Sequence, residues 1–308
     1  MVTWRAGPVI GGRRRVGDHF LAVRRPGVWD GAVVEDYQRV NRAGWDERVP
    51  AHVASRDYQV ERFAEDPGFL SHEVRFDLPR LGDISGQRGV HLQCHIGTDT
   101  VSLARLGASM TGLDFSAPAV EQARLLAARA GADARFVQAE VYAADGVLGR
   151  GVFDLVYTGI GALCWLPDIR RWAAVVAGLL RAGGRLFCRE GHPMLWTLDD
   201  ERGDDLLVVR YPYFERDQPQ VFDDGGTYVE TDAVFRHNVS YEWNHGLGEI
   251  VTALLEEGMD LTALAEHDSV PWEALPGKMD KTLDGEWRLA DQPWRLPHSY
   301  TLEAVKRG

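Results

Sequence analysis

The sequence is poor in cysteine and has no long apolar segment. Its three cysteines, Cys94, Cys164 and Cys188, form no CxxC pair and have apolar flanks. We therefore predict buried thiols at these positions, and neither a disulfide nor a metal site. No run of about 18 apolar residues is present, and the N-terminus lacks the apolar region of a signal peptide. These absences predict no membrane span and favour a cytoplasmic protein.

Positive charge is also scarce. The 308 residues include 34 Lys and Arg against 46 Asp and Glu, which gives a formal net charge of −12. Because binding to nucleic acid depends on clustered Lys and Arg, we expect no nucleic-acid partner. The basic exception is residues 1–30, which hold six arginines and two acids. We interpret this stretch as a flexible basic arm, with contact to nucleic acid or membrane as the alternative.

Strand and helix patterns alternate from about residue 88 to residue 190. The predicted strands are Val90–Cys94, Ser109–Asp114, Ala134–Ala139, Phe153–Thr158 and Arg185–Glu190. The predicted helices run from Gly97 to Leu106, from a Ser116 cap to Gly131, and over Ile169–Leu180 up to the glycine pair 183–184. Short turns between them imply parallel strands joined by right-handed crossovers. The predicted fold class is therefore α/β, with a doubly wound, mostly parallel sheet.

The regular alternation stops after His192. The later predicted elements are antiparallel strands Leu206–Tyr211 and Tyr228–Tyr241 around the turn 224–226, a helix Gly248–Glu257, and two last strands, Asp260–Glu266 and Tyr300–Val305. We expect residues 196–245 to form an inserted cap over an acceptor site. At the other end, residues 31–84 predict an N-terminal helical lid, which Pro50 and Pro67 break into two or three short helices. Residues 85–308 then form the main domain.

The loop after the first strand is the expected ligand site, because open parallel sheets bind ligands beyond the carboxyl ends of their strands. Residues 93–100 lead into a helix N-terminus, whose free N–H groups suit an anionic group. The loop matches neither GxGxxG nor a Walker motif. Asp114 ends the second strand, where an acid accepts the hydrogen bonds of a ribose diol, and Phe115 adds an aromatic face. The alternatives are a helix-capping acid and a core residue.

Four segments resemble, in order and spacing, the successive motifs of class I S-adenosylmethionine (SAM) dependent methyltransferases. They are Gly112–Ser116, Phe136–Glu140, Phe153–Tyr157 and Leu179–Leu186. The resemblance covers about residues 88–190 and, more loosely, the final strands, and it implies a Rossmann-like sheet with an antiparallel last strand. The first loop departs from the usual pattern: His91 replaces an acid, and Gln93 and His95 replace two glycines. A branch of the family with a Leu-Gln-Cys-His loop resembles this sequence.

The resemblance implies SAM as cofactor and S-adenosylhomocysteine as product. It implies that Asp114 holds the ribose hydroxyls and that Phe115 packs on adenine. It also implies that Glu140 and Val141 meet the adenine amine through a carboxylate and a backbone N–H. Gly97 is expected to let the backbone approach the methionine part.

The resemblance also places Thr158 and Gly159 beside the sulfonium. Thr100 is a candidate for binding the methionine carboxylate, with an ordinary first-turn threonine as the alternative. The full set of expected cofactor residues is Gln93, His95, Gly97, Thr100, Asp114, Phe115, Ser116, Glu140, Val141, Thr158 and Gly159.

Histidine has a suitable pKa for a general base toward a hydroxyl or amine acceptor. His192 follows the fifth strand and His245 precedes a helix, so both are candidate bases, while His95 is favoured as a cofactor-loop residue. Each has a polar loop residue as its alternative. The acidic pairs 199–200 and 223–224 suggest a metal-dependent enzyme, but we find no suitable acid at the end of the fifth strand and expect no metal.

Aromatic residues outside the main motifs predict an apolar acceptor pocket, with packing of the added strands as the alternative for the alternating ones. The candidates are Tyr37, Trp45, Tyr58, Trp165, Trp196, Tyr241 and Trp243. The predicted function is SAM-dependent methyl transfer, by in-line displacement, to an oxygen or nitrogen of a small metabolite, with an aromatic one favoured. The alternatives are a non-catalytic SAM-binding sensor or partner subunit and, less favoured, a nicotinamide-dependent dehydrogenase. We expect a monomer or homodimer.

Overall fold

The computed structural model describes residues 32–308, and the predicted basic arm of residues 1–30 lies outside the described residues. The helices are α1 (Ala32–Ala54), α2 (Arg62–Glu65), α3 (His72–Leu81), α4 (Thr98–Arg105), α5 (Ala117–Ala130), α6 (Ala144–Leu148), α7 (Ile169–Leu179) and α8 (Leu247–Glu256). The strands are β1 (Arg88–Leu92), β2 (Ser109–Asp114), β3 (Ala134–Gln138), β4 (Phe153–Thr158), β5 (Leu180–Gly191), β6 (Gln220–Asp223), β7 (Val239–Glu242), β8 (Met259–His267), β9 (Met279–Lys281), β10 (Trp287–Leu289) and β11 (Ser299–Lys306). None of these helices is both long and apolar enough to cross a bilayer.

Seven strands form one sheet in the order β3-β2-β1-β4-β5-β11-β8. The first five are parallel to their neighbours, whereas β11 is antiparallel to both β5 and β8. The strand order reverses between β1 and β4, which is where such sheets bind ligands. The predicted doubly wound, mostly parallel sheet with an antiparallel last strand is confirmed.

Local signals account for the helices around the sheet. Ser116 caps α5, because its hydroxyl oxygen accepts a 3.2 Å hydrogen bond from the Ala119 N–H. Gly131 ends the same helix in the left-handed conformation, at φ 59°. On α7, Trp172 and Val176 are fully buried against the sheet residues Val156 and Leu186. This core holds the strands rigidly, so their carboxyl ends form a fixed edge.

The predicted inserted hairpin is wrong in its pairing. β6 pairs with β7, so Gln220 lies opposite Glu242, and residues 224–238 form an irregular loop between them. Leu206–Tyr211 makes only an isolated bridge, from Val209 to Leu198. The short strands β9 and β10 were not predicted.

Two side chains of α1 form hydrogen bonds with backbone groups of the loop between β6 and β7. The Arg48 guanidinium donates to the carbonyl oxygens of Asp224, Gly226 and His237 at 2.9 to 3.1 Å. The carboxylate of Glu47 accepts from the backbone N–H groups of Arg236 and His237. These bonds satisfy backbone groups that a sheet would otherwise pair, and they fasten α1 to the inserted segment.

Two predicted helix breaks are also wrong. Pro50 lies inside α1, where it removes one backbone hydrogen bond without ending the helix. The glycine pair 183–184 lies inside β5, not at the end of α7. A Cβ at Gly184 would lie 2.8 Å from the Phe153 carbonyl oxygen. The glycine therefore permits a close approach of β5 to β4, where their register shifts.

Candidate functional site

A cavity of about 290 Å³, which we call the main cavity, opens at the carboxyl ends of β1, β2, β3 and β4. Helix α1 and the turn at residues 57–59 cover it. The expected cofactor residues that line it are Gln93, His95, Asp114, Phe115, Glu140, Val141 and Gly159. Those that do not line it are Gly97, Thr100, Ser116 and Thr158.

Asp114 lies at the centre of this edge of the sheet and is 6% exposed. Its Oδ2 accepts a 2.8 Å hydrogen bond from the His95 N–H, and its Oδ1 accepts a 2.9 Å bond from the Ser116 N–H. Burial raises the pKa of Asp114 to about 6. Each carboxylate oxygen has a second lone pair, so the side chain is fixed in place and can still accept hydrogen bonds from a ligand.

The turn after β1 places the polar side chains of Gln93 and His95 in the main cavity, and both residues have an unusual backbone conformation. Gln93 and His95 have φ angles of 56° and 49°, in the left-handed region that favours glycine. The Gln93 amide donates to the Ala162 carbonyl at 2.9 Å, which joins this turn to the one after β4. Its Oε1 is buried without a hydrogen-bond partner among the described residues. A buried acceptor of this kind fits a ligand that brings a donor.

The four expected cofactor residues that do not line the main cavity have packing or hydrogen-bonding contacts within the fold. A Cβ at Gly97 would lie 2.7 Å from the Ala123 Cβ, so this glycine permits close packing with α5. Thr100 is fully buried, and its hydroxyl contacts His91 Nδ1 at 2.9 Å. Ser116 caps α5 and also donates to Asp46. Thr158 is fully buried in β4.

The sequence prediction missed an acidic pair at one end of the main cavity, Asp99 and Glu73. Asp99 lies beside Gly159, where a Cβ would be 3.5 Å from the Asp99 Oδ2. Burial, and then the charge of Glu73, raise the pKa of Asp99 well above its usual range. Its Oδ1 is buried without a partner among the described residues. The only sequence signal was an acid in the first turn of α4, which is an ordinary capping position.

Phe115, Glu140 and Val141 lie together beyond β2 and β3, as the resemblance implies. The Glu140 carboxylate accepts a 2.8 Å bond from the Tyr142 N–H, which fixes its orientation. Burial raises the pKa of Glu140. An aromatic face, a carboxylate and a nearby backbone N–H are the features that suit an adenine ring.

The candidate bases His192 and His245 do not line the main cavity. The Nε2 atom of His192 contacts the Glu266 carboxylate at 2.9 Å, and its Nδ1 accepts from the Met194 N–H. Nδ1 of His245 contacts Glu215 at 2.6 Å, and its Nε2 lies 2.9 Å from the Leu166 carbonyl oxygen. Both histidines therefore have filled hydrogen-bonding positions that hold loops together.

His95 is the candidate histidine that does line the main cavity. Its Nε2 lies 2.8 Å from Nδ1 of His52, a fully buried residue of α1. Nε2 of His52 in turn lies 2.7 Å from the hydroxyl oxygen of Thr227. Burial lowers the pKa of His95 to about 4, and burial together with the charges of His95 and Arg48 lowers that of His52 to about 2. Both rings are therefore neutral at pH 7.

Aromatic rings form one wall of the main cavity. Trp45 is at their centre, with ring centroids 5.2 Å from both Trp165 and His95. The hydroxyl groups of Tyr58 and Tyr228 are in hydrogen-bond contact, which joins the turn after α1 to the inserted segment. Of the predicted acceptor residues, those that line the main cavity are Tyr37, Trp45, Tyr58, Trp165 and Trp196.

Two predicted acceptor residues lie behind this wall. Trp243 is buried and packs edge-on against Tyr37 at 5.3 Å, and the backbone of Tyr241 exchanges hydrogen bonds with the Asn41 side chain. A second cavity of about 220 Å³, the side cavity, adjoins the main one. The two share Trp45, Trp165 and several other wall residues, and Thr227 lines the side cavity.

Glu190 lies at the end of the fifth strand, where we expected no suitable acid. It is the second-last residue of β5 and is fully buried by its neighbours, with 3% exposure. Its carboxylate accepts bonds from the backbone N–H groups of Gly161, Ala162 and Leu163, in the turn after β4, and from that of Gly191. The carboxylate is therefore used to hold this turn. Among the described residues, no group of three or more His, Cys, Asp or Glu side chains is arranged to hold a metal ion.

Residues 90–186 match the model of a family described as a methyltransferase domain. A ubiquinone biosynthesis O-methyltransferase from Cronobacter sakazakii is 34% identical over 110 residues, which are 35% of this chain and 44% of that protein. The methyltransferase phqN from Penicillium fellutanum is 26% identical over 212 residues, which are 67% of this chain and 55% of that protein. The chain thus matches about half the length of these relatives.

Solved structures share the fold. An S-adenosylmethionine-dependent methyltransferase from Listeria monocytogenes superposes with a TM-score of 0.54 at 16% identity, covering 77% of this chain and 97% of that one. The 1,6-didemethyltoxoflavin-N1-methyltransferase of Burkholderia thailandensis gives 0.51 at 16% identity, covering 97% and 100%. The matched residues 90–186 run from the third residue of β1 to the middle of β5. They include the turns after β1 and β4, which form the floor of the main cavity. Residues 90–186 are therefore similar to a methyltransferase domain, and the chain shares its fold with SAM-dependent methyltransferases of known structure.

Proposed function

We propose that this chain transfers the methyl group of SAM to an oxygen or nitrogen of a small aromatic metabolite in the main cavity. The observation that carries this proposal is the position of Asp114. Its buried carboxylate ends β2, is held by two backbone N–H groups and faces the cavity with free lone pairs. A ribose diol is the donor pair that suits such a carboxylate.

The residues around Asp114 fit the rest of the cofactor. We assign the adenine ring to Phe115 and Val141, with the Glu140 carboxylate near the amine. We assign the ammonium of the methionine part to Asp99. The Oδ1 atom of this residue is buried without a partner among the described residues. Burial raises the pKa of Asp99, because an unpaired charge is unfavourable there. A cation beside this carboxylate relieves that cost.

Methyl transfer from SAM requires the protein mainly to align the acceptor with the methyl group and to exclude water. When bound, SAM supplies a methyl group that its sulfonium has already activated. The chain orients the acceptor with the wall of Trp45 and Trp165 and excludes water with Tyr58 and Tyr228. Because His192 and His245 lie outside the cavity, we assign any proton acceptance to His95.

We propose that residues 31–84 and 196–245 act as the lid and cap of this site. The hydrogen bonds from Arg48 to the loop between β6 and β7 support this assignment, because they join the two segments at the side cavity, which adjoins the main cavity. An aromatic acceptor is supported by the rings in the walls of both cavities. The relatives named O-methyltransferase favour oxygen, and the protein named N1-methyltransferase keeps nitrogen as a candidate. A cytoplasmic monomer or homodimer stays a prediction.

Calorimetry with SAM, S-adenosylhomocysteine and NADH tests this proposal. We expect both sulfur compounds to bind and NADH not to bind. A panel of small phenols and aromatic amines, incubated with radiolabelled methyl-SAM, then tests methyl transfer. Failure of both sulfur compounds to bind contradicts the proposal, and binding of NADH alone supports a dehydrogenase. Binding of SAM without transfer to any of the panel favours a non-catalytic SAM-binding protein.

A further inference from the structure

His95, His52 and Thr227 form one hydrogen-bonded chain between the two cavities. His95 lines the main cavity, His52 is completely buried and Thr227 lines the side cavity. The two links are 2.8 and 2.7 Å long. Both nitrogens of His52 are used by these links. His95 uses only Nε2, and no described residue contributes a hydrogen bond to its Nδ1.

These two hydrogen bonds couple the proton positions of the three side chains. In a neutral imidazole one nitrogen donates and the other accepts. If Thr227 Oγ1 accepts from Nε2–H of His52, then Nδ1 of His52 must accept from Nε2–H of His95. His95 then has a lone pair on Nδ1. The opposite order would leave Nδ1 of His95 protonated and unable to accept a proton.

We propose that Thr227 and His52 set the tautomer of His95 so that its Nδ1 accepts the proton of a hydroxyl acceptor during methyl transfer. This inference rests on the proposed function. As the acceptor oxygen forms its bond to the methyl carbon, the carbon–sulfur bond breaks and its electron pair stays on sulfur. The proton of the hydroxyl goes to Nδ1 of His95. The resulting imidazolium donates its Nε2 proton in the bond to His52, which stabilises the charge.

The surroundings keep the pair neutral before reaction. Burial is the main cause of the low pKa of both rings, and the nearby charge of Arg48 on α1 adds to it for His52. Titratable groups in contact with the pair include the hydroxyl-bearing side chains of Tyr58 and Tyr228 and the Asp114 carboxylate, which accepts from the His95 N–H. His95 is thus the catalytic residue, and His52 and Thr227 are positioning residues.

The tautomers are measurable without an acceptor. In protein labelled with ¹⁵N in its imidazole rings, long-range ¹⁵N–¹H NMR at pH 7 distinguishes protonated from unprotonated ring nitrogens. We expect both rings to be neutral, with the proton on Nε2 in each. Thr227→Val removes the hydroxyl with little change of shape, and we expect Nδ1-protonated His95 to appear. Thr227→Ser is the matched control and should keep the native pattern. A proton on Nδ1 of His95 in the native protein overturns the inference.

Methyl transfer to catechol provides the second readout. We expect His95→Gln to lower kcat by about 100-fold or more, which is the usual contribution of a general base. Thr227→Val should lower kcat by about tenfold with KM for catechol unchanged, and Thr227→Ser should restore it. Equal kcat in the Val and Ser variants, with equal tautomers, contradicts the role of Thr227. If the native protein does not bind SAM, the proposed function is contradicted, whereas the tautomer measurement still tests the hydrogen-bond order.

Discussion

The carboxylate of Glu190 accepts a 2.8 Å hydrogen bond from the backbone N–H of Ala162. The neighbouring N–H groups of Gly161 and Leu163 donate to the same carboxylate, so one side chain of β5 holds three consecutive residues after β4. The Ala162 carbonyl in turn accepts from Gln93, in the turn after β1. The floor of the main cavity therefore depends on a fully buried acid that does not line it.

Glu190→Gln tests this dependence. The amide keeps the shape of the side chain but directs an NH₂ group at N–H donors, which leaves buried groups without acceptors. We expect the free energy of unfolding to fall by about 1 to 3 kcal/mol, and SAM to bind more weakly. Thermal unfolding and calorimetry measure the two effects. Glu303→Gln is the control, since Glu303 lies on β11 and bonds only Arg185 among the described residues. Equal stability of the two variants contradicts the role of Glu190.

Asp114→Ala tests the ribose site. Removing the carboxylate deletes the acceptor of two ribose hydroxyls, and each such charged hydrogen bond contributes about 1.5 to 3 kcal/mol. We expect SAM to bind at least about 100-fold more weakly, while circular dichroism shows a folded protein. Asp133→Ala, at an exposed position before β3, is the control and should bind SAM normally. Undiminished binding by Asp114→Ala would remove the cofactor assignment.

Asp99→Asn tests the assignment of the methionine ammonium. The amide keeps the size of the side chain and removes its charge, so we expect SAM and S-adenosylhomocysteine to bind about 10- to 150-fold more weakly. Methylthioadenosine contains the adenosine and sulfur but lacks the ammonium, so its affinity should stay unchanged. Competition calorimetry compares the three ligands. Equal weakening of methylthioadenosine would indicate a general disturbance of the cavity and would contradict the assignment.

The parallel part of the fold was predictable because its signals are local. β2 and β4 have the predicted ends, and the Ser116 cap and Gly131 stop of α5 were both readable from the sequence. The inserted segment was not predictable, since five backbone groups within residues 224–238 form hydrogen bonds with Glu47 and Arg48, almost 200 positions earlier in the chain. Such long-range side-chain partners produce no periodic pattern.

The site was predictable to a similar extent. Asp114 and Phe115 follow from the position of a strand end, which sequence patterns locate well. His192 and His245 do not line the main cavity, because whether a loop histidine faces a cavity depends on its partners, here Glu266 and Glu215. His52 gave no signal at all, since a histidine inside an amphipathic helix is usually a surface residue.

Gly97→Ala tests the packing role of this glycine. The added Cβ would lie 2.7 Å from Ala123 and 2.8 Å from Phe136, at a φ of 83°. We expect strain from the backbone of about 1 to 2 kcal/mol and overpacking of about 1 to 3 kcal/mol. Gly131→Ala is a matched control, because Gly131 also has a positive φ but has open space around it. Denaturant unfolding should show a larger loss for Gly97→Ala, and equal losses would mean that packing at Gly97 contributes nothing.

The buried histidine His91 predicts a loss of stability in mild acid. It is 3% exposed, its Nδ1 contacts the Thr100 hydroxyl, and burial lowers its pKa from 6.5 to about 3. Between these two values the unfolded chain binds a proton that the folded protein does not. The contribution of neutral His91 to the free energy of unfolding is therefore fully present above pH 6.5 and is lost as the pH falls. Between pH 6.5 and 4.5 the loss amounts to about 2 to 3 kcal/mol.

His91→Asn isolates this contribution. Asparagine keeps a polar atom near Thr100 but does not titrate, so the free energy of unfolding of this variant should fall less steeply between pH 6.5 and 4.5. Urea unfolding at a series of pH values measures both slopes. The slope difference, not the absolute stability, is the decisive quantity, since the substitution also changes packing at every pH. Identical slopes for the native protein and His91→Asn would mean that His91 is already charged in the folded protein, and that its burial does not hold it neutral.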